Sequence, residues 1–72
     1  MITKIGVVAG DIWNYLEGHD REAVLEDVID AVKKDRDLVM MSIGWLAREG
    51  HVSVDGEGPD YTINLTNMGG KE

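Results

Sequence analysis

Two serines, two histidines and a short acidic loop are the side chains here that could do chemistry, and none stands in a pattern that chemistry uses. A nucleophilic hydroxyl needs a base within hydrogen-bond reach, yet neither Ser42 nor Ser53 has a histidine at a motif spacing. His19 and His51 are well separated in the sequence, and neither belongs to a pair at zinc-ligand spacing. His19, next to Asp20, reads as a loop residue. Asp55, Glu57 and Asp60 alternate with Gly56 and Gly58 like a fragment of a calcium loop, but no carboxylate closes that loop at its twelfth position. The stretch GVVAGD from Gly6 matches neither the dinucleotide nor the P-loop pattern. The expectation is therefore no catalytic residue, no cofactor and no metal ligand, in a domain too small to line a ligand-sized pocket from its own core.

The elements that must position these residues are constrained first by size. A chain of 72 residues is expected to form one domain, over residues 1–66, with a polar, glycine-containing tail at 67–72 that frays. It has no cysteine, so no disulfide or thiolate metal site supplements the modest core of so short a chain. No run reaches the roughly 18 apolar residues of a membrane span, and the N-terminus lacks the layout of a secretory signal. A cytoplasmic location is expected.

Apolar residues at Ile5, Val8, Ala9, Ile12, Trp13 and Leu16 recur at helical spacing and predict a first helix over about 4–18, buried along that stripe. Thr3 is placed as its N-cap and Gly18 as a left-handed residue ending it. Leu25, Val28, Ile29 and Val32 predict a second helix over about 25–33. Its start admits two readings, a cap at Asp20 or a short extended segment at Ala23 and Val24, and the later start is preferred. The charged run Lys33, Lys34, Asp35, Arg36, Asp37 reads as a turn, with Asp35 or Asp37 capping a third helix over about 36–49 that Gly50 ends. Beyond it the period becomes two. Val52 and Val54 alternate with polar residues, as do Ile63 and Leu65, predicting strands over about 51–55 and 61–66 joined by the Gly56–Asp60 loop.

Helix, helix, turn, helix and hairpin is an α+β order, and the run GWLAREGHVSVDG from Gly44 passes from helix to strand with a leucine, a charged residue and Glu-Gly. On these residues, from Ile5 to about Leu65, the chain resembles the winged helix-turn-helix domains, and within them a small prokaryotic family of unknown function. The resemblance implies three helices and a two-stranded wing. It is specific for fold and says little of function.

In DNA-binding winged helices the third helix enters the major groove and needs polar and basic residues on its outer side. With Leu46 in the core, as the resemblance implies, Val39 and Ile43 fall on the same inner face. The outer side is then Met40, Met41, Gly44 and Arg48, with Leu38 and Trp45 on its flank. Methionine adapts its shape to a partner and tryptophan anchors interfaces. Leu38, Met40, Met41, Gly44 and Trp45 are therefore expected to form a protein-binding surface, for another protein or for a second copy in a homodimer. The alternative is a DNA-binding domain touching phosphates through Lys33, Lys34, Arg36 and Arg48. Against it stand a net charge of −7 and a wing carrying Asp55, Glu57 and Asp60, both of which repel phosphate.

Gly6 and Gly10 lie four apart beside the apolar stripe of the first helix, each disfavoured by up to about 1 kcal/mol relative to alanine there. The spacing suits close approach of another backbone, and an element of the same chain is the favoured neighbour over a partner's helix.

Overall fold

A computed structural model describes residues 2–58 and 60–66. The order is α1 (Ile2–Glu17), β1 (Glu22–Val24), α2 (Leu25–Val32), α3 (Arg36–Arg48), β2 (Val52–Asp55) and β3 (Thr62–Leu65). The three helices and the β2–β3 hairpin fall where the periodicity placed them, within a residue or two at each end. The expected tail at 67–72 lies outside the described residues.

One core joins all the layers. Val8, Ala9, Ile12 and Leu16 of α1 bury against Leu25 and Val28 of α2, and against Val39, Ile43 and Leu46 of α3. Val52, Ile63 and Leu65 close it from the sheet. α1 packs most extensively on α3, and at that interface Ser42 is fully buried. Its hydroxyl donates to the carbonyl of Leu38, one turn back, at 2.8 Å. This local bond satisfies the buried oxygen without a partner from another element.

β2 and β3 form the expected two-stranded wing, and a short third strand extends the sheet, giving the order β1-β3-β2. β1 pairs antiparallel with β3, with Ala23 opposite Ile63, and β2 pairs with the other side of β3, with Val52 opposite Leu65. The short extended segment at Ala23 and Val24 is thus real, and it covers a β3 edge whose N–H and C=O groups a hairpin alone would leave unpaired. The pairing continues at both ends of β1, where Leu65 N–H donates to Arg21 O and Leu25 N–H to Tyr61 O, each at 2.9 Å. Val52 is buried while Val54 is exposed, so the hairpin runs out past the core and its tip is a free wing.

Three local expectations also change. α1 starts at Ile2, so Thr3 lies inside the helix and does not cap it. Left-handed backbone after α1 occurs at Asp20 and Arg21, not at Gly18, and this reversal feeds the chain into β1. α2 ends on a left-handed Lys33, whose N–H donates to the Ile29 carbonyl at 3.2 Å. Asp35 takes the N-cap position of α3, though its side chain makes no capping hydrogen bond. The end of α3 follows the sequence: Gly50 has φ +82°, and the N–H groups of Gly50 and His51 donate to Ala47 O and Leu46 O at 3.1 and 2.9 Å, as in a glycine-terminated helix.

Candidate interaction surface

The inner side of α3 is Val39, Ser42, Ile43 and Leu46, which turns Met40, Met41, Gly44 and Arg48 outward as the helical wheel requires. Met40, Met41 and Trp45 retain 41%, 43% and 46% of their surface. Gly44 is exposed, with nothing of another element near it. Leu38 is less exposed than Met40, Met41 and Trp45 and packs against the core. It therefore borders the outward face and is no full member of it.

Trp45 does more than flank α3. It lines a groove between α3 and α1 together with Gly6, Ala9, Gly10, Trp13, Asn14, Leu46 and His51, with a volume of about 310 Å³. At its end toward the start of α1, Ile2, Ile5, Gly6 and Trp45 form a nearly all-apolar hollow. Periodicity had put Trp13 on the buried stripe of α1, but it is 41% exposed. At 100° per residue Trp13 stands at the margin of that stripe, on the side of Ala9, and its ring leans into the groove instead of beneath the sheet. Ile5, from the same stripe, is half-buried.

The two glycines also differ from expectation. A side chain built at Gly6 or Gly10 would find no atom of another element within 4 Å, so among the described residues no part of the same chain uses the close approach they permit. The signal that could have found this surface is the spacing of Ile2, Gly6, Gly10 and Trp13, which share one face of α1 adjoining the buried stripe on the side of Ala9.

The basic residues are divided. Lys33 and Lys34 line a cleft of about 640 Å³ with Thr3, Val7, Val8, Asp35 and Leu38, and the fold adds Lys4 to it. Arg36 forms an ion pair with Glu26 at 3.1 Å. Arg48 lies in the last turn of α3, about 18 Å along the helix from Arg36 at 1.5 Å per residue, with Met40, Met41 and Gly44 in between. On the wing Asp55, Glu57 and Asp60 are exposed, and the Asp55 carboxylate accepts a hydrogen bond from Asn64 Nδ2 at 2.9 Å.

Two of the reactive side chains, His19 and Ser42, have structural partners. His19 Nδ1 donates to the Tyr15 carbonyl at 2.7 Å, and its ring stacks on Tyr15 with centroids 4.0 Å apart. Ser42 is buried with its hydroxyl engaged. Among the described residues, no three histidine, cysteine or acidic side chains gather as a metal site would need. No helix there is long and apolar enough to cross a membrane.

The family described as "Winged helix-turn-helix domain (DUF2582)" matches residues 1–65. An uncharacterized protein of Methanocaldococcus jannaschii, MJ1608, is 35% identical over 63 residues, which span 86% of this chain and 90% of that protein. No solved structure matches. The chain belongs to this winged helix-turn-helix family.

Proposed function

We propose that this winged helix is a non-catalytic protein-interaction module whose recognition surface is the outer side of α3. One observation carries the reading: Met40, Met41 and Trp45, on the helix that reads DNA elsewhere in this fold, each keep more than two-fifths of their surface in solvent. Half-exposed methionine and tryptophan side chains on one face offer adaptable apolar area and a rigid anchor, the composition of the centre of a protein interface. Gly44 between them lets a partner's side chain approach the backbone. A place within a transcription-regulatory assembly is consistent with this reading, since such assemblies join protein-binding and DNA-binding chains.

A second reading, direct DNA binding, is favoured by one feature of the fold: Lys4 joins Lys33 and Lys34 in the cleft beside the start of α3. The chain's charge of −7 and the acidic wing oppose it, because phosphate contacts supply most of the affinity of such domains. Fluorescence anisotropy with a labelled duplex at low salt separates the two. The protein-binding reading predicts no change. Binding that falls steeply with salt and is lost in Lys33→Ala/Lys34→Ala would overturn it.

A further inference from the structure

We propose that the cleft between the start of α1 and the α2–α3 turn binds a small amphipathic anion, a carboxylate or phosphate carried on an apolar body. The cleft lies beside the outer side of α3 and is lined by none of Met40, Met41 and Trp45, so the protein-binding reading stands or falls separately.

Charge gathers here against the trend of the whole chain. Acidic residues outnumber basic ones by fourteen to seven, yet three of the four lysines, Lys4, Lys33 and Lys34, line this one cleft, with Asp35 as its single carboxylate. Among the described residues none of these lysines is ion-paired, whereas Arg21 and Arg36 are held by Glu17 and Glu26. Lys33 and Lys34 follow the carbonyl end of α2, which their charge offsets. Lys4 comes from another helix and serves no such end. Two helices also begin here. Thr3 and Lys4 stand in the first turn of α1, which carries no acidic residue, and Asp35 holds the N-cap position of α3, so both helices bring their positive ends to the cleft.

Lys33 carries a second mark. Its backbone is left-handed, with φ 59°, at a position where glycine commonly ends a helix. Lysine is strained there where glycine would not be, and strain of this kind gathers at ligand sites.

The cleft is more than a cationic surface. Val8, buried in the core, and Leu38, which packs against it, give it an apolar floor, with Val7 58% exposed beside them. Its volume of about 640 Å³ falls within the usual range of small-molecule sites, roughly 300–1,000 Å³. An apolar floor with a few charged groups converging on it suits a ligand of both characters. The body covers Val7 and Leu38, while the head accepts charge-assisted hydrogen bonds from the ammonium groups.

Size separates such a ligand from DNA. Exposed charges more than about 8 Å apart are largely screened at physiological salt, so a head group in the cleft senses the lysines above the acids elsewhere. A duplex extends far past the cleft and meets the rest of a chain of net charge −7.

The test is NMR titration of the full chain with octanoate, with octanamide as the same body without the charge and acetate as the charge without the body. We expect octanoate to move the methyl signals of Val7, Val8 and Leu38 and to saturate with a Kd of about 1 mM or tighter. Octanamide should bind about tenfold more weakly, and acetate should not saturate over the same range. Lys4→Gln and Lys34→Gln each remove one ammonium at an exposed position, and far-UV circular dichroism checks that both fold. Each should weaken octanoate roughly threefold to tenfold, while Arg48→Gln, at the far end of α3, should leave it unchanged. Octanamide or acetate binding as tightly as octanoate overturns the amphipathic assignment. Shifts confined to Trp13 and Trp45 place octanoate in the α1–α3 groove and overturn the site. Methyl signals that octanoate leaves still, or lysine variants that bind as the wild type does, overturn the proposal outright. Should duplex DNA at low salt move the methyl signals that octanoate leaves still, the cleft belongs to DNA.

Discussion

Trp13 and Trp45, one on each of the two helices that pack most closely, line a single groove that also contains Gly6 and Gly10. Neither indole is buried in the chain's own core. Two tryptophans held half in water by a small domain constitute an exposed apolar patch of the kind that marks an interaction site.

The glycines give the first prediction. With nothing of another element within 4 Å of a side chain at Gly6, Gly6→Ala should stabilise the isolated chain by about 0.5–1 kcal/mol, the helix-propensity difference. Urea denaturation at a concentration below self-association measures it. A destabilisation would show that another part of the chain needs that space.

Gly56 should respond in the opposite direction. It has φ +91°, and a Cβ there would stand 2.9 Å from the carbonyl oxygen of Asp60. Gly56→Ala should cost about 1–3 kcal/mol through left-handed strain and that clash. Amide hydrogen exchange should show faster opening in β2 and β3 with α1 unchanged, because the wing tip lies beyond the core.

Ile12 is fully buried at the centre of α1. Ile12→Ala should cost roughly 2–5 kcal/mol, enough to unfold much of a domain of this size at 37 °C. Trp13→Ala, one residue on, should cost less in thermal denaturation at low concentration, because the indole stands at the margin of the core with 41% of its surface already in solvent. Equal costs would return Trp13 to the core stripe.

Much of the fold was legible because its signals are local. The 3.6 period of Val8, Ile12 and Leu16, the period of two at Ile63 and Leu65, and the glycine at the end of α3 each report on their own segment. β1 was only half legible, since three residues carry too little pattern and its pairing with β3 joins positions about forty apart in the sequence. The outward set on α3 followed from the wheel once Leu46 was placed inside. The contribution of α1 did not, because Trp13 lies at the margin of the buried stripe, where periodicity cannot tell an inward from an outward ring. The open space at Gly6 and Gly10 is a fact of tertiary packing, and the same two glycines would read identically had another helix filled it.

If DNA were the target through Lys33, Lys34, Arg36 and Arg48, four phosphate contacts would give a slope of about −3.6 for log affinity against log salt. We expect no measurable affinity from which to draw such a slope. Arg36 is held by Glu26, and Arg48 is at the opposite end of α3 from the lysines, so the four do not form one patch.

The most direct test of the central claim, that α3 presents a protein-binding face, is NMR of the methionine methyl groups and tryptophan indoles. Spectra would be recorded as protein concentration rises and, separately, as duplex DNA is added at low salt. The account predicts that the signals of Met41, Trp45 and Trp13 move with concentration and that none moves with DNA. Signals of α3 that ignore concentration but shift with DNA, together with the amides of Lys33 and Lys34, would contradict it.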